Sequence, residues 1–360
     1  MSRVALAQAD PRNVSPAVTR VLDLSGCLAR FTPGLKVVVK PNLITDNPEY
    51  IARGANTSVP VLESLLSLLA DARCQVTVGE SEVGTRVQGR RLAQAVRYMD
   101  LDTLCKRYGA AFANFTEDRK VQVPVNGLHF KAFDLSYRQA EAELVITIPK
   151  IKTHKYAAMT CSLKNMYGMI PEGRRVIYHR WLSKAITDIN SVFKGRLITL
   201  VDGMVAMEGN GPVYGTPVEM NMVLASQDLV AADTVCARLI GLDPGAIEHL
   251  QMIEKRGLGT SRDIELVGDE VALPWRVFRP AHLNAYRRFE HRLMRSPLVH
   301  ILVSEGFQRH VSRYLRPLTR RLRGGSFSWY LEEQSGRTRY GDEGDRKGPI
   351  PASTPPPPLQ

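Results

Sequence analysis

No stretch of the 360-residue chain approaches eighteen consecutive apolar residues, which excludes a membrane-spanning helix. The opening residues, MSRVALAQADPRN, carry an apolar core too short for a signal peptide and read as a first strand. The five cysteines, Cys27, Cys74, Cys105, Cys161 and Cys236, never fall in a C-x-x-C spacing. Neither a zinc ribbon nor an intrinsic iron–sulfur cluster is therefore encoded, and reduced, mostly buried thiols are expected. Cys161 reads as a small core residue more readily than as a nucleophile. Residues 204–217, MVAMEGNGPVYGTP, have the glycines of a ligand loop but match neither the dinucleotide nor the P-loop spacing. Lysine is missing from Arg276 to Arg323, where twelve Arg face only Glu290 and Glu305. Most of the chain's formal charge of +12 thus comes from that segment, and the remainder is nearly balanced. The expected location is cytoplasmic, with a peripheral position on the inner face of the membrane as an extension of that reading.

What is present is the composition of an ordinary globular protein, long enough for a sizeable core. Short apolar runs alternate with helical patterns. Strands are predicted at Arg3–Ala9, Lys36–Val39, Gln75–Val78, Leu144–Ile148, Arg196–Val201, Met220–Ala225 and, at an edge, Ile264–Val267. Helices are predicted at 15–28, 59–73, 90–108, 179–194, 229–240 and 247–256, and residues 112–133 read as an edge hairpin. This alternation predicts an α/β fold with an open, mostly parallel sheet and helices on both faces.

The organising stretch is Leu144–Gly168, LVITIPKIKTHKYAAMTCSLKNMYG. A β-branched run buried on both faces leads into Pro149, beyond which Lys150, Lys152 and His154 project to one side of an extended backbone. Ala157–Tyr167 has helical composition, with Thr160 and Lys164 one turn apart. Two ammonium groups and an imidazole directly after a buried strand predict an anion site. Other apolar runs also end in polar residues: Lys40 and Asn42, Glu80 and Ser81, Asp202, and Asp228. If all these strands are parallel, the polar ends share one rim. Glu80, Asp202, Glu208, Asp228 and Asp233 could hold a divalent metal there, or could pair with the lysines. His179, at a predicted helix start, is a neutral imidazole able to move protons.

KPNL at 40–43, VGES at 78–81, IPKIKTH at 148–154, SLKNMYG at 162–168, the His at 179, VDGMVAMEGNGP at 201–212 and SQDLVAAD at 226–233 together resemble the bacterial and archaeal family known as domain of unknown function 362. The resemblance runs from about residue 3 to 270. It implies an architecture and a shared site but no reaction. Some members are attached to iron–sulfur modules, and this chain lacks the cysteines for one. By motif, the family's signature residues fall on Lys40, Asn42, Glu80, Lys150, Lys152, His154, Lys164, Asn165, His179, Asp202, Glu208, Asp228 and Asp233.

Three regions are expected: a core over 1–272, an Arg-rich helical extension over 273–325, and a largely disordered tail over 326–360 ending PASTPPPPLQ. The leading expectation is an enzyme for a small anionic metabolite, carboxylate or phosphate. Lys150, Lys152 and Lys164 would clamp the anion, and His154 or His179 would act as acid and base beside Lys152 and Lys164. Lys40, Asn42, Asn165, Glu80 and Glu208 would bind substrate, and Asp202, Asp228 and Asp233 would hold any metal. One alternative is a redox accessory using an external iron–sulfur or flavin partner. Another is a membrane-surface, protein or nucleic-acid binder acting through the Arg-rich arm, nucleic acid being the weaker choice.

Overall fold

The run Leu144–Ile148 is buried at all five positions, as a strand covered on both faces must be. The computed structural model describes residues 1–82, 91–172 and 175–281, together with Arg292 and Ser296. Among them the strands are β1 (Ser2–Gln8), β2 (Lys36–Pro41), β3 (Gln75–Glu80), β4 (Ala111–Asn114), β5 (Lys120–Pro124), β6 (Ala132–Ser136), β7 (Leu144–Ile148), β8 (Lys150–His154), β9 (Ala158–Thr160), β10 (Leu197–Glu208), β11 (Thr216–Ser226) and β12 (Ile264–Gly268). One sheet runs in the order β12-β1-β11-β10-β7-β2-β3-β4, with β8 and β9 branching from β10. β5 and β6 form a separate antiparallel pair, whereas β4, at the start of the segment 112–133 read as an edge hairpin, joins the main sheet.

Alternate side chains of the central strands divide between two cores. Val37 and Val39 of β2, with Leu144, Ile146 and Ile148 of β7, meet Val18, Val21 and Leu22 of the helix Ser15–Leu24 and Leu62, Leu65, Leu66 and Leu69 of the helix Val59–Asp71. Val38 and Val145 face the other way, onto Ile186 and Ile189 of the helix Leu182–Val192 and Val230 of the helix Leu229–Leu239. The period of two within each strand thus puts helices on both faces. Each such fully buried aliphatic side chain contributes roughly 1.5–3 kcal/mol. The fold is α/β, with a mostly parallel sheet between two helical layers.

Directions along the sheet decide which loops share a rim. β2 is parallel to β3 and β7, β3 to β4, and β10 to β7 and β8. β11 is antiparallel to both β10 and β1, so β1, and β12 parallel to it, run with the rest. β11 alone among these long strands delivers its carboxyl end to the opposite edge. Asp228, which follows it, therefore does not join the rim that carries Lys40, Glu80 and Lys150, contrary to the expectation from five parallel strand ends.

Three predicted boundaries also move. β10 does not stop at Asp202-Gly203 but continues to Glu208, through a register shift between Gly203 and Val205. A Cβ on Gly203 would lie 2.8 Å from the Met222 carbonyl oxygen, so only glycine lets the two strands approach this closely. Half of the supposed glycine loop is therefore hairpin. The sheet ladder likewise passes Pro149: its carbonyl accepts from Asp202 N, and β8 resumes pairing with β10. Ala157–Tyr167 is not one helix. His154 Nδ1 accepts from the backbone N–H groups of Tyr156 and Ala157, turning the chain back so that β9 pairs with β8. A four-residue helix, Ser162–Asn165, and a 3₁₀ turn, Met166–Met169, follow.

Past the predicted core boundary the chain still packs on the core. Trp275 N and Arg276 N donate to Leu239 O, Phe278 N donates to Ile240 O, and the Phe278 ring is buried. The rest of the predicted helical extension and the tail lie outside the described residues, apart from Arg292 and Ser296.

Candidate active site

At the carboxyl end of the sheet the first group to form is Lys40 with Glu80. The two residues end adjacent parallel strands, and both side chains are almost wholly buried. Lys40 Nζ donates to Glu80, to Pro41 O at 2.8 Å and to Asn165 Oδ1 at 3.3 Å. Asn165 Nδ2 closes the ring by donating to Lys40 O and to Thr147 Oγ1. Glu80 Oε1 accepts from Ser81 N at 2.9 Å. Burial lowers the Lys40 pKa from the usual amine value, with the Glu80 charge opposing. Gly168 lies against this pair, and a Cβ there would come within 2.5 Å of Glu80 Oε1 and 2.7 Å of Lys40 Nζ.

A second buried ion pair joins Lys150 Nζ to Asp202 Oδ1 at 2.9 Å. Asp202 Oδ2 also accepts from Ser58 N at 2.7 Å and Ser58 Oγ at 2.9 Å, tying loop 54–58 to β10. Lys152 is fully buried and donates to the carbonyls of Ala55 and Pro212. Asn42 Nδ2 donates to the same Ala55 carbonyl, at 3.0 Å. Burial, then the charge of Lys150, holds the Lys152 pKa well below the ordinary amine value. Lys152, given a catalytic role from the sequence, thus clamps two loops through these carbonyls.

Lys164 is different. Its Nζ stands 4.9 Å from the Tyr167 ring centroid, and among the described residues it has no carboxylate, carbonyl or hydroxyl partner. Arg175, reached through the 3₁₀ segment Arg175–Trp181, lies against the same ring at 6.0 Å. Its Nη1 donates to Ile170 O at 2.8 Å, which fixes the guanidinium in place. Burial, then the charges of Arg175 and Lys40, lowers the Lys164 pKa to about 8. Around these cations stand imidazoles. The His179 ring is 5.2 Å from Tyr156 and 6.4 Å from Tyr167, and the His154 ring is 5.9 Å from Tyr156. Because His154 Nδ1 accepts two backbone N–H bonds, its proton is on Nε2. Burial, then Lys164 and His179, holds its pKa well below the ordinary histidine value. His249, at the start of the helix Glu248–Lys255, is buried with Nε2 unpartnered, and burial together with Lys164 lowers it to about 3.

Of the residues named from sequence, Lys40, Glu80, Asn165 and Lys164 come together, with His154 and His179 beside them. Asn42 and Lys152 meet at Ala55, and Lys150 meets Asp202. Glu208 is turned away from this group, its carboxylate held by Arg276 at 3.1 Å and Arg279 at 2.9 Å. Asp228 caps the helix Leu229–Leu239 through Val230 N and Ala231 N and also accepts from Ser2 Oγ and Thr260 N. Asp233 accepts from Ser162 N at 2.7 Å and Leu163 N at 3.1 Å, seating the short helix that carries Lys164. Burial pushes its pKa up to about 6, with those donors opposing. The three aspartates proposed as metal ligands thus serve three different sets of donors. Among the described residues no group of three His, Cys, Asp or Glu is placed to hold a metal ion. Cys161 is buried, its thiol pKa raised well above the ordinary value by burial.

Sequence reasoning passed over Arg175 and His249, neither of which stands in a quoted motif. Arg175 reaches the site from a 3₁₀ segment eleven residues past Lys164, and His249 from a helix far along the chain. A cleft of about 710 Å³ opens elsewhere, lined by Asp10, Glu219, Glu270, Met220 and Trp275. Its carboxylates disfavour an anion, so it does not compete with the Lys164 cluster for that ligand.

Among proteins of known name, the chain is 27% identical over 300 residues to the thylakoid-associated protein sll1697 of Synechocystis, covering 77% of this chain and 90% of that one. Two solved structures share a weaker likeness. The lactate racemase apoprotein of Thermoanaerobacterium thermosaccharolyticum is 12% identical with a TM-score of 0.36, over 67% of this chain and 57% of that one. A structural-genomics protein of Thermotoga maritima is 10% identical with a TM-score of 0.34, over 74% and 62%. The match to the family's own sequence model runs over residues 37–238, from the strand that delivers Lys40 to the helix that carries Asp233, and the chain belongs to that family, Domain of unknown function (DUF362).

Proposed function

We propose that the chain is an enzyme acting on a small anionic metabolite, a carboxylate or a phosphate, held by Lys164 and Arg175. One observation carries this reading: the carboxylate whose charge bears on Lys164, that of Glu80, is already bonded to Lys40. Two cations are left over beside one aromatic ring, and an anion would neutralise them. His154 and His179 supply imidazoles for proton transfer, and a lysine with a pKa of about 8 is itself suited to acid–base work near neutrality. Lys40, Glu80 and Asn165 position the short helix under Lys164. The test is a thermal-shift and calorimetric screen of carboxylates and phosphates against the wild type, Lys164→Met and Arg175→Met. Binding lost in both variants supports the reading, and equal binding in all three rejects it.

A second reading concerns location. No helix among the described residues is long and apolar enough to cross a membrane. The Arg-rich segment 276–323 and the name of the thylakoid-associated relative favour a position on an anionic membrane surface. Sedimentation of the full chain with anionic vesicles, but not with neutral ones, at low salt would support this, and equal partitioning to both would reject it.

A further inference from the structure

Four lysines crowd the site, and three of them have amines already bonded to or paired with protein oxygens. Lys40 is bonded to Glu80, Lys150 is paired with Asp202, and Lys152 is bonded to two carbonyls, all three being fully buried. Lys164 is only partly buried, and no group among the described residues accepts from it. The Tyr167 ring lies 4.9 Å from its Nζ, and the charges of Arg175 and Lys40 bear on it. A lysine set beside other cations in a desolvated site spends more of its time as the free amine, the form that attacks carbonyl carbon. Phosphate esters offer such an amine no carbonyl. Oxo acids offer one, together with a carboxylate for a guanidinium.

We propose that Lys164 is a nucleophile that forms an imine with the carbonyl of an oxo-acid substrate whose carboxylate is bound by Arg175. This rests on the anion-site reading above and narrows its substrate class. Nη1 of Arg175 is occupied by Ile170 O, which leaves Nη2 and Nε as the donors for the carboxylate, and the same contact keeps the guanidinium at the Tyr167 ring. The Nζ lone pair of Lys164 forms the C–N bond while the carbonyl oxygen takes a proton. The carbinolamine then loses that oxygen as water, and nitrogen gives up its protons. Amine and ketone give imine and one water, with no oxidant or reductant consumed. Moving protons onto oxygen and off nitrogen falls to the imidazoles of His154 and His179, the first of which feels the charges of Lys164 and His179.

Borohydride tests the step, since hydride adds to the imine carbon and leaves a stable secondary amine. Wild-type protein is incubated with pyruvate, 2-oxoglutarate or levulinate, reduced, and mapped by peptide mass spectrometry. At least one acid should label Lys164 to about one adduct per chain, and Lys164→Arg, which keeps the charge, should lose at least about nine-tenths of the label. Thermal shifts with the same acids are recorded in parallel. A shift without an adduct overturns the imine and leaves the anion site standing. Neither shift nor adduct overturns both. Adducts scattered over exposed lysines and retained in Lys164→Arg also overturn it. Mapping on the wild type does not depend on the variant's folding.

Discussion

Lys164 and Arg175 are held against one ring, Tyr167, with Nζ at 4.9 Å and the guanidinium carbon at 6.0 Å. Eleven residues apart in sequence, they are brought together by a 3₁₀ turn and by the bond from Tyr167 Oη to Arg175 O. Two like charges this close are unfavourable in the free protein, and an anion relieves the repulsion on binding.

Replacing Lys164 by Met should therefore weaken anion binding by the worth of a charge-assisted contact, roughly 1.5–3 kcal/mol or about 10- to 100-fold in Kd. Lys164→Arg should retain most of it. The pH dependence has a definite sign: with a pKa of about 8, the ammonium is present below that pH and lost above it, so affinity falls as pH rises from 7 to 9. Calorimetric titration at both pH values measures this, and a Kd that does not move with pH would place the charge elsewhere.

The Lys40–Glu80 pair gives a stability prediction. Removing one partner leaves an uncompensated buried charge, so Glu80→Gln or Lys40→Met should each cost roughly 3–5 kcal/mol, while the double variant Lys40→Met with Glu80→Leu should recover much of that loss. Gly168→Ala should act on the same pair. Its Cβ would fall within 2.7 Å of both side chains, and overpacking of this kind costs roughly 1–3 kcal/mol. Urea unfolding of the four proteins decides it, and a double variant no better than the worse single would show that the pair is not coupled.

His249 makes the fold sensitive to acid. Its pKa is about 3 in the native state and about 6.5 when unfolded, so the unfolded chain binds more protons between those values. The stability owed to a neutral His249 is complete above pH 6.5 and is lost as pH falls towards 3. Asp233 works in the opposite sense, since its native pKa of about 6 favours the folded state as pH falls through that value. His154, also depressed, acts with His249. Replacing His249 by Leu removes one contribution alone, so the loss of thermal midpoint between pH 7 and pH 5 should be smaller in the variant than in the wild type. Equal losses in the two proteins would reject the assignment.

The parallel core was legible because valines and isoleucines bury alternately on two faces, and Lys40, Glu80 and Lys150 follow directly from those runs. The direction of β11 was not. Gly209 to Gly215 carry turn signals that serve a hairpin and a βα loop equally well, and only pairing with β10 tells the two apart. Nor was the reversal at His154 legible, since it depends on an imidazole nitrogen accepting two backbone N–H groups rather than on any propensity of Tyr156 or Ala157. Arg175 and His249 were missed for a related reason: a bond from Tyr167 Oη folds Arg175 back to Lys164, and a distant helix brings His249, so that no local pattern marks either.

The reversed strand has its own consequence for Asp228. A carboxylate at the common rim would affect ligand binding when removed, whereas a helix cap at the far edge would affect only stability. Asp228 accepts Val230 N at 2.8 Å and Ala231 N at 3.0 Å, and also holds Ser2, the first residue of β1. Asp228→Ala should therefore cost about 0.5–2 kcal/mol as a lost N-cap, with anion affinity at Lys164 unchanged. Asp202→Ala should cost more, because Lys150 would be left charged and buried without its partner. Denaturant midpoints and anion titrations on both variants separate the two positions, and a loss of affinity in Asp228→Ala that exceeds its loss of stability would return that residue to the site.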